Sequence, residues 1–475
     1  MMKLLQSIKN VAEKFPERIA FISGENSITY KKLWDDSYGF SKILNRQGTK
    51  PVIVYGHKSI EMIVSFIACL IAKRAYIPVE KGTPENRIHK ILQLSQAELI
   101  IANEPLELDD NECLSIQEIA ARYKEDCCAE KNENSIAYII FTSGSTGEPK
   151  GVPIFYESLD NFTDWINNVF DNYRNSHAVV LNQASFSFDL SVADMYFALS
   201  GGHTLVASNQ GFTENYGEIF DIINIYDINI MVMTPTSVKL LLAEPKFCEE
   251  NYPSLECIYF CGESLEVTSV KKIRKRFKNM EIVNAYGPTE ATSAVCAIKI
   301  SDEMLSEEYL PVGEIKSAAV KIEISDDEII LKGKSVFGGY LGTIQGGYFQ
   351  ENNVNCYRTG DLGFIKDGLL YCKGRADSQI KYKGYRIELG EIENNLLKID
   401  GVREAVCIAK YNGDKSIVKL IKAFVTLDKP ISTEDIKNQL RKNIPFYMIP
   451  KIITVMNSIP INKNNKYDRK RLSEL

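Results

Sequence analysis

The segment 141–151, with the sequence FTSGSTGEPKG, combines glycines, hydroxyl side chains and a lysine. An apolar run at 137–141 comes directly before it and predicts a buried strand. Backbone N–H groups freed by glycine, together with hydroxyls and the charge of Lys150, are suited to bind phosphate. The segment is not a Walker A loop, because Pro149 precedes the lysine and Gly151 follows it. A flexible Ser/Thr/Gly linker is the alternative interpretation.

Five further motifs carry charged or aromatic side chains at short spacing. In chain order they are FSFDLSV at 186–192, NAYGPTE at 284–290, YRTGD at 357–361, GRAD at 374–377 and NKYDR at 465–469. Together with the first loop, they resemble the adenylate-forming enzymes, which include amino-acid adenylation domains, acyl-CoA synthetases and luciferases. The resemblance covers nearly the whole chain. Within this superfamily the motifs are most similar to D-alanine:carrier-protein ligases, followed by free-standing adenylation enzymes of nonribosomal peptide synthesis.

The resemblance implies that a carboxylate and ATP give an acyl adenylate and pyrophosphate. Glu290 resembles the Mg²⁺ ligand of the family, Tyr286 the residue against adenine, and Asp361 the ligand of both ribose hydroxyls. Arg375 resembles a ribose and phosphate contact, and Lys466 the lysine that bridges the α-phosphate and the substrate carboxylate. The implied catalytic residues are Lys466, Arg375 and Glu290. The implied nucleotide-binding residues are Thr142, Ser143, Gly144, Ser145, Thr146, Lys150, Ala285, Tyr286, Gly287, Thr289, Asp361, Arg375 and Lys466.

Each of these side chains also has an interpretation without catalysis. Glu290 and Lys466 are of the types that are usually solvated charges, and Tyr286 fits a core tyrosine with a paired hydroxyl. Asp361 fits an ordinary Asx turn before a hairpin. The lysine motif also departs from the family, because Asn465 stands where glycine is usual. Asparagine tolerates positive φ, so the turn is expected to survive.

Asp189 indicates the substrate class. A buried aspartate is costly unless it is paired, and the amino-acid-activating branch uses this position to bind the substrate ammonium. The alternative is a cap for a helix that begins near Leu190. By resemblance, the substrate pocket is lined by Asp189, Leu190, Ala193, Val232, Tyr259, Cys261, Ala285, Ser293 and Ala294.

The pocket departs from the D-alanine ligases at several positions. Cys261 matches them, but Ala193 replaces their methionine, and Ala285, Tyr259 and Ser293 also differ. These differences favour a larger and more polar pocket than alanine needs. The identity and chirality of the amino acid therefore stay open.

The resemblance also implies a second half-reaction with a thiol. Asp377 matches the hinge between the domains, and the loop 383–388 matches the one presented after rotation. Gly384 leaves space there for a phosphopantetheine arm. The chain has no carrier segment of its own, so a separate phosphopantetheinylated carrier protein is the expected partner.

Composition agrees with a cytoplasmic enzyme. The 475 residues carry a net charge of −6, which disfavours nucleic-acid binding, and the eleven-residue apolar run 62–72 is too short to span a membrane. No export signal is recognisable at the N-terminus. Eleven cysteines without C-x-x-C spacing favour free thiols in a reducing compartment, and the four histidines are scattered.

Apolar runs alternate with helical patterns and predict an α/β fold. We expect a large N-terminal domain, residues 1–376, with two α/β lobes and a small β-rich part around 300–372. A small mobile α+β C-terminal domain, residues 377–475, is expected to follow it.

Two further functional classes remain open from the sequence. An acyl- or aryl-CoA synthetase would use the same ATP motifs but would not need Asp189. A non-catalytic scaffold subunit is disfavoured because Lys150, Glu290, Asp361, Arg375 and Lys466 are all present.

Overall fold

The computed structural model describes residues 2–46, 48–108, 113–122, 135–144, 147–208, 217–316, 318–342, 346–377, 379–411, 418–461 and 467–475. The chain forms two compact units. The first contains Met1–Lys81, Ser95–Ile140 and Val152–Gly374, and the second contains Gly82–Leu94, Phe141–Gly151 and Arg375–Leu475. The second unit therefore combines the C-terminal hundred residues with two segments from earlier in the chain. The boundary between residues 376 and 377 stays a prediction.

The largest sheet in the first unit has eight strands. Its inner strands run parallel, and the strand at each edge pairs antiparallel with its neighbour. Their spatial order is Cys296–Lys299, Glu281–Tyr286, Cys257–Phe260, Ile230–Met233, Val179–Asn182, Thr204–Ala207, Ile19–Ser23 and Asn26–Thr29. The inner strands are almost continuously buried, as expected for a parallel sheet with both faces covered.

A second sheet has six strands. Their spatial order is Cys113–Leu114, Leu99–Ala102, Val52–Gly56, Tyr76–Glu80, Ile136–Thr142 and Lys150–Phe155. The pairs that join the first five strands are parallel. Parallel neighbours need crossover connections, and helices provide several of them. The strand predicted at 137–141 is the fifth strand of this sheet.

The helices pack on these sheets through apolar faces. The helix Ile60–Ile71 is the apolar run singled out in the sequence, and Ser59 caps its N-terminus by accepting a hydrogen bond from the Met62 N–H. In the part of the chain that the structure describes, no helix is long and apolar enough to cross a membrane. The α-helices of the first unit are Lys3–Lys14, Tyr30–Leu44, Ile60–Ile71, Ile116–Arg122, Tyr156–Val169, Leu190–Gly201, Gly217–Ile225, Pro235–Ala243 and Val267–Arg276.

The β-rich part of the first unit is a third sheet. Its strands are Gly313–Glu314, Leu369–Arg375, Val354–Lys366, Glu328–Lys332 and Lys321–Ser325 in spatial order, and Tyr348–Glu351 also pairs with Val354–Lys366. Asp367 and Gly368 both have positive φ in the two-residue turn between the two longest strands. This is the hairpin geometry that the Asp-Gly pair predicts.

The second unit is an α+β module with its own hydrophobic core. It contains a two-stranded hairpin and a three-stranded sheet, with helices on the sheet. The hairpin consists of Gln379–Tyr382 and Tyr385–Glu388, and the sheet consists of Val402–Tyr411, Val418–Leu427 and Ile452–Val455. The helices are Glu85–Ser95, Leu389–Leu397, Thr433–Arg441 and Arg469–Glu474. The predicted α/β fold, with two α/β lobes and a small α+β module, is confirmed.

Candidate active site

The predicted pocket residues on strands lie side by side. On three adjacent parallel strands, Tyr259 is the register partner of Val232 on one side and of Val283 on the other. Ala285 lies two residues beyond Val283 on its strand. Cys261 follows the end of the middle strand, and its N–H donates to the Met233 carbonyl at 3.3 Å. The carboxyl ends of parallel strands are where open α/β sheets bind ligands. These residues therefore lie toward the carboxyl ends of the strands, where ligands usually bind in this kind of sheet.

Asp189 is the residue immediately before the helix Leu190–Gly201. Its side chain makes no capping hydrogen bond to that helix, so the helix-cap alternative is not supported. The expectation that Asp189 is buried was wrong, because the residue is only half-buried. The fully buried aspartate of this helix is Asp194, which accepts two hydrogen bonds from Asn182 Nδ2 at 3.0 and 3.1 Å. Burial raises the pKa of Asp194 well above its usual range.

The other predicted pocket residues share one hydrophobic cluster. Its members from the pocket are Ala193, Val232, Tyr259, Cys261, Ala285 and Ala294, and Leu190 packs against it. Ser293 is also buried. Ala193 lies one helical turn beyond Asp189, so both residues are on one face of the helix. These residues therefore belong to the hydrophobic core of the first unit.

The segment after Tyr286 is strained. Thr292 and Ser293 both adopt positive φ, at 66° and 69°, a conformation that is costly for a β-branched residue such as threonine. A Cβ on Gly287 would lie 2.5 Å from the Ala294 Cα, so this position requires glycine. Strained backbone of this kind concentrates at functional sites. Here it folds Ser293 and Ala294 back beside the end of the strand Glu281–Tyr286, where the Val295 N–H donates to the Tyr286 carbonyl at 2.8 Å.

Glu290 is fully buried in the short 3₁₀ helix Thr289–Ala291, so it is not a solvated charge. The Tyr340 hydroxyl donates to Glu290 Oε1 at 2.6 Å. Tyr340 was not predicted, and no motif around it in the sequence points to this contact. A glutamate carboxylate is a ligand type that suits Mg²⁺, which commonly takes one or two carboxylates together with waters and substrate phosphates.

Tyr286 and Asp361 form a buried pair. The Tyr286 hydroxyl donates to Asp361 Oδ2 at 2.7 Å, and burial followed by the Asp361 charge raises the pKa of Tyr286 well above its usual range. A core tyrosine would also have a paired hydroxyl, so this contact agrees with the structural alternative for Tyr286. The same hydrogen bond orients the Asp361 carboxylate, which is predicted to bind ribose. Asp361 lies within the strand Val354–Lys366, so the Asx-turn alternative was wrong.

In the second unit, the described part of the phosphate-loop motif is hydrogen-bonded by the segment 386–395. The Ser143 hydroxyl donates to the Arg386 carbonyl at 2.9 Å and accepts from the Glu388 N–H at 3.1 Å. The Gly144 N–H donates to Glu391 Oε2 at 2.9 Å. A carboxylate thus sits on one of the N–H groups predicted to hold phosphate. Thr142 ends one strand beside this loop, and the buried Lys150 begins the next.

Glu391 also forms a buried ion pair. Arg87 Nη1 lies 2.8 Å from Glu391 Oε1, and the two side chains are 6% and 1% exposed. Asn395, one turn further along the helix, donates to the Glu391 carbonyl at 2.9 Å and to the Gly147 carbonyl at 3.4 Å. These contacts fasten the helix Leu389–Leu397 to the loop. Neither Arg87 nor Glu391 was singled out in the sequence, because no local pattern indicates a pairing between residues 304 positions apart.

We expect Glu391→Ala to lower the free energy of unfolding by about 3–5 kcal/mol, because the substitution leaves the buried Arg87 charge unpaired. Glu148→Ala is the matched control. Glu148 bridges the partly exposed Lys90 and Lys398 at 2.8 and 3.0 Å, and its loss should cost no more than about 1 kcal/mol. Denaturant titration measures both effects, and equal losses would contradict the assignment of Glu391 as a buried anchor.

Arg375 and the predicted hinge residue Asp377 are paired with each other. Arg375 Nε and Nη2 donate to the two Asp377 oxygens at 2.7 and 2.6 Å. Burial alone would raise the pKa of Asp377, but the hydrogen bonds from Arg375 hold it below its usual value. Further along, Lys383 and Gly384 both have positive φ in the hairpin turn that was predicted to face the thiol.

Three predicted nucleotide-binding residues, Ser145, Thr146 and Lys466, lie outside the described residues. The roles of all the site residues stay predictions. In the first unit they include a half-buried carboxylate directly before a helix and two buried carboxylates that accept hydrogen bonds from tyrosines. In the second unit, the Gly144 N–H of the phosphate-loop motif is bonded to Glu391.

Comparison with known proteins identifies relatives along the whole chain. The family of AMP-binding enzymes matches residues 8–341, and the C-terminal domain of AMP-binding enzymes matches residues 391–466. The D-alanine–D-alanyl carrier protein ligase of Bacillus licheniformis is 37% identical over 500 aligned positions, covering 100% of this chain and 99% of the relative. The ligase of the same name from Staphylococcus epidermidis is 36% identical, again with 100% and 99% covered.

Solved structures agree on the fold. The adenylation domain AlmE of Vibrio cholerae, solved with glycyl-adenosine-5'-phosphate, superimposes with a TM-score of 0.85. The match covers 100% of this chain and 97% of that one, at 21% sequence identity. At this identity the likeness concerns the fold alone.

Proposed function

The chain belongs to the family of AMP-binding enzymes, and from this premise we propose that it activates D-alanine with ATP and loads it onto a separate carrier protein. Two full-length relatives with the name D-alanine–D-alanyl carrier protein ligase support this choice of substrate and partner. In the first half-reaction, a carboxylate oxygen of D-alanine attacks the α-phosphorus of ATP. The bond to the β-phosphate oxygen breaks, and D-alanyl adenylate and pyrophosphate form.

The observation that carries the proposal is the position of Asp189. Its carboxylate stands at the start of a helix, makes no cap hydrogen bond, and borders the apolar cluster of Ala193 and its neighbours. A carboxylate next to apolar side chains is suited to an ammonium group attached to a small side chain. An acyl- or aryl-CoA synthetase has no ammonium to bind, so it does not need a carboxylate at this position.

The chain's residues would assist this step mainly through charge and alignment, because the attacking carboxylate and the phosphate repel each other. Lys466 would neutralise both, Asp361 would hold the ribose, and Tyr286 would lie against adenine. Glu290, fixed by Tyr340, would hold Mg²⁺, which neutralises phosphate charge when it is bound.

In the second half-reaction, the phosphopantetheine thiolate of the carrier attacks the carbonyl carbon of the adenylate. A thioester forms and AMP leaves with the electron pair of the broken C–O bond. Asp377 would act as the hinge that brings the turn at Lys383 and Gly384 to the adenylate. We also propose that the enzyme works in the cytoplasm, because the described cysteines are free thiols and the reaction uses ATP.

The test of the proposed function is a loading assay. The enzyme, ATP and radiolabelled D-alanine are incubated with a phosphopantetheinylated D-alanyl carrier protein, and in parallel with free CoA. We expect a thioester on the carrier that hydroxylamine releases, and much slower transfer to CoA. Preferential transfer to CoA would contradict the carrier assignment and favour the CoA synthetase alternative.

A second candidate is activation of a larger or more polar amino acid by a stand-alone adenylation enzyme of nonribosomal peptide synthesis. By the family resemblance, Ala193 stands where the D-alanine ligases tend to carry methionine, and Ala285 where they tend to carry larger or more apolar groups. The buried Tyr259 hydroxyl has no hydrogen-bond partner among the described residues. A pocket of this kind favours a longer side chain, because each buried methylene contributes about 0.8 kcal/mol.

Ala193→Met separates the two candidates. If the pocket is enlarged, the added side chain should shift kcat/KM toward alanine and away from larger amino acids by about 10-fold or more. Pyrophosphate exchange with both substrates measures the shift, and Leu199→Met, on the same helix and fully buried, is the control. If D-alanine is already the best substrate and Ala193→Met changes nothing, the enlarged pocket is refuted.

A further inference from the structure

Lys58 is a buried lysine outside all the motifs described above. It lies two residues beyond the strand Val52–Gly56, and only 2% of its surface is exposed. Its backbone adopts a positive φ of 40°, which is uncommon for a residue other than glycine. A buried charge is costly unless it is paired or hydrogen-bonded, so the contacts of Lys58 indicate its role.

The Lys58 ammonium has three N–H donors, and three oxygen atoms of the first unit accept from it. They are the Gln183 carbonyl at 2.6 Å, the Asn182 carbonyl at 3.2 Å and Ser208 Oγ at 3.2 Å. Burial lowers the pKa of Lys58 to about 8, against the attraction of Glu80 and other nearby carboxylates. The ammonium is therefore mostly charged at pH 7, and each of its donors has one of these acceptors.

The two carbonyls begin the segment 182–188, which leads from the end of a parallel strand to Asp189. Asn182 Nδ2 donates to the Ala184 carbonyl at 3.3 Å, so the first residues of this segment are also bonded to one another. Lys58 therefore holds the start of a segment that ends at the predicted ammonium ligand.

A second side chain from the same sheet holds this segment further along. Glu80 ends the strand Tyr76–Glu80, the parallel neighbour of the strand that precedes Lys58, and it accepts a hydrogen bond from Ser185 Oγ. The Phe188 N–H donates to the Ser185 carbonyl at 3.0 Å. The contacts therefore extend to the residue directly before the predicted ammonium ligand.

Resting on the proposed function, we propose that Lys58 is a positioning residue for amino-acid activation, because its hydrogen bonds to the Asn182 and Gln183 carbonyls set the path of the segment that ends at Asp189. Lys58 itself does not touch the substrate in this account. A binding group that is displaced by about 1 Å can lower activity by about 100-fold. The predicted ATP-binding residues of the first unit lie on other elements, so the effect should be confined to the amino acid.

The test compares Lys58→Met with Arg74→Met. Arg74 is the matched control, because it is also a buried cation that donates to backbone carbonyls, those of Lys50 and Leu44 at 2.7 and 3.1 Å. Both substitutions should lower the Tm, since each removes donors from backbone carbonyls. Only Lys58→Met should raise the KM for D-alanine, by about 10-fold or more, with the KM for ATP unchanged. A lower Tm with an unchanged KM for D-alanine would show a merely structural role and overturn the proposal.

A double-mutant cycle with Asp189→Asn tests whether Lys58 acts through Asp189. Lys58→Met should raise the KM for D-alanine much less in the Asp189→Asn background than in the wild-type background, because the group that it positions has already lost its charge. Equal factors in the two backgrounds would mean that the two residues act independently, and they would overturn the positioning role.

Ser185→Ala decides the question if Lys58→Met does not fold. It removes the contact with Glu80 and should also raise the KM for D-alanine without changing that for ATP, whereas an unchanged KM would overturn control of the site by this segment. If the wild-type enzyme prefers another amino acid, the D-alanine proposal fails, and the same comparisons with the preferred amino acid still decide the role of Lys58. An enzyme that no amino acid activates would overturn both.

Discussion

Replacement of Lys466 by alanine should lower the rate of adenylate formation by about 10²–10³-fold, the usual effect of losing one preorganised charge at a reacting centre. The lysine is expected to neutralise the α-phosphate and the attacking carboxylate together. Transfer of the aminoacyl group from a supplied adenylate to the carrier should stay near normal, because we expect the C-terminal segment to move away before the thiol enters. Single-turnover kinetics of the two half-reactions measure this difference.

Lys470→Ala is the control for Lys466. Lys470 carries the same charge four residues later, and it is exposed in the helix Arg469–Glu474. Its loss should leave both half-reactions unchanged. If Lys466→Ala slows both half-reactions equally, the lysine has a structural role. That result would also contradict the expectation that the C-terminal segment moves between adenylation and transfer.

Asp189→Asn should raise the KM for the amino acid by about 30- to 150-fold, which corresponds to about 2–3 kcal/mol for a charge pair that is only partly screened from water. The half-burial of Asp189 places this expectation at the lower end of the range for buried pairs. The KM for ATP should change little, because the substitution alters only the ammonium partner. Steady-state pyrophosphate exchange with each substrate varied in turn provides both values.

Asp194→Asn is the matched control for Asp189. It removes a carboxylate from the same helix, but one that is fully buried and bound to Asn182. We expect it to change the Tm and to leave the KM for the amino acid within a few-fold of wild type. An unaltered KM in Asp189→Asn would refute the ammonium-binding role of Asp189.

The secondary structure was largely predictable from the sequence, because buried parallel strands appear as short apolar runs between helical patterns. The runs at 51–56 and 76–80 are the strands Val52–Gly56 and Tyr76–Glu80. The helix predicted to open near Ser432 begins at Thr433, with Ser432 as its cap. Local signals such as capping residues and Asp-Gly turns determine these elements.

Contacts between distant segments were not predictable. The pairing of Arg87 with Glu391 joins side chains 304 residues apart, and the Tyr340 hydroxyl reaches Glu290 across 50 residues. The Asx-turn alternative for Asp361 failed for a related reason, since the turn signal of Thr-Gly-Asp was overridden by the strand Val354–Lys366. The half-burial of Asp189 also depends on neighbours that the motif does not encode.

The central claim, that the chain activates an amino acid, is tested most directly by ATP–pyrophosphate exchange across a panel of D- and L-amino acids, with aliphatic and aryl carboxylic acids as comparison substrates. We expect exchange with D-alanine that exceeds exchange with L-alanine, glycine and D-serine, and no exchange above background with acids that lack an amino group. Exchange supported by those acids but by no amino acid would contradict the claim.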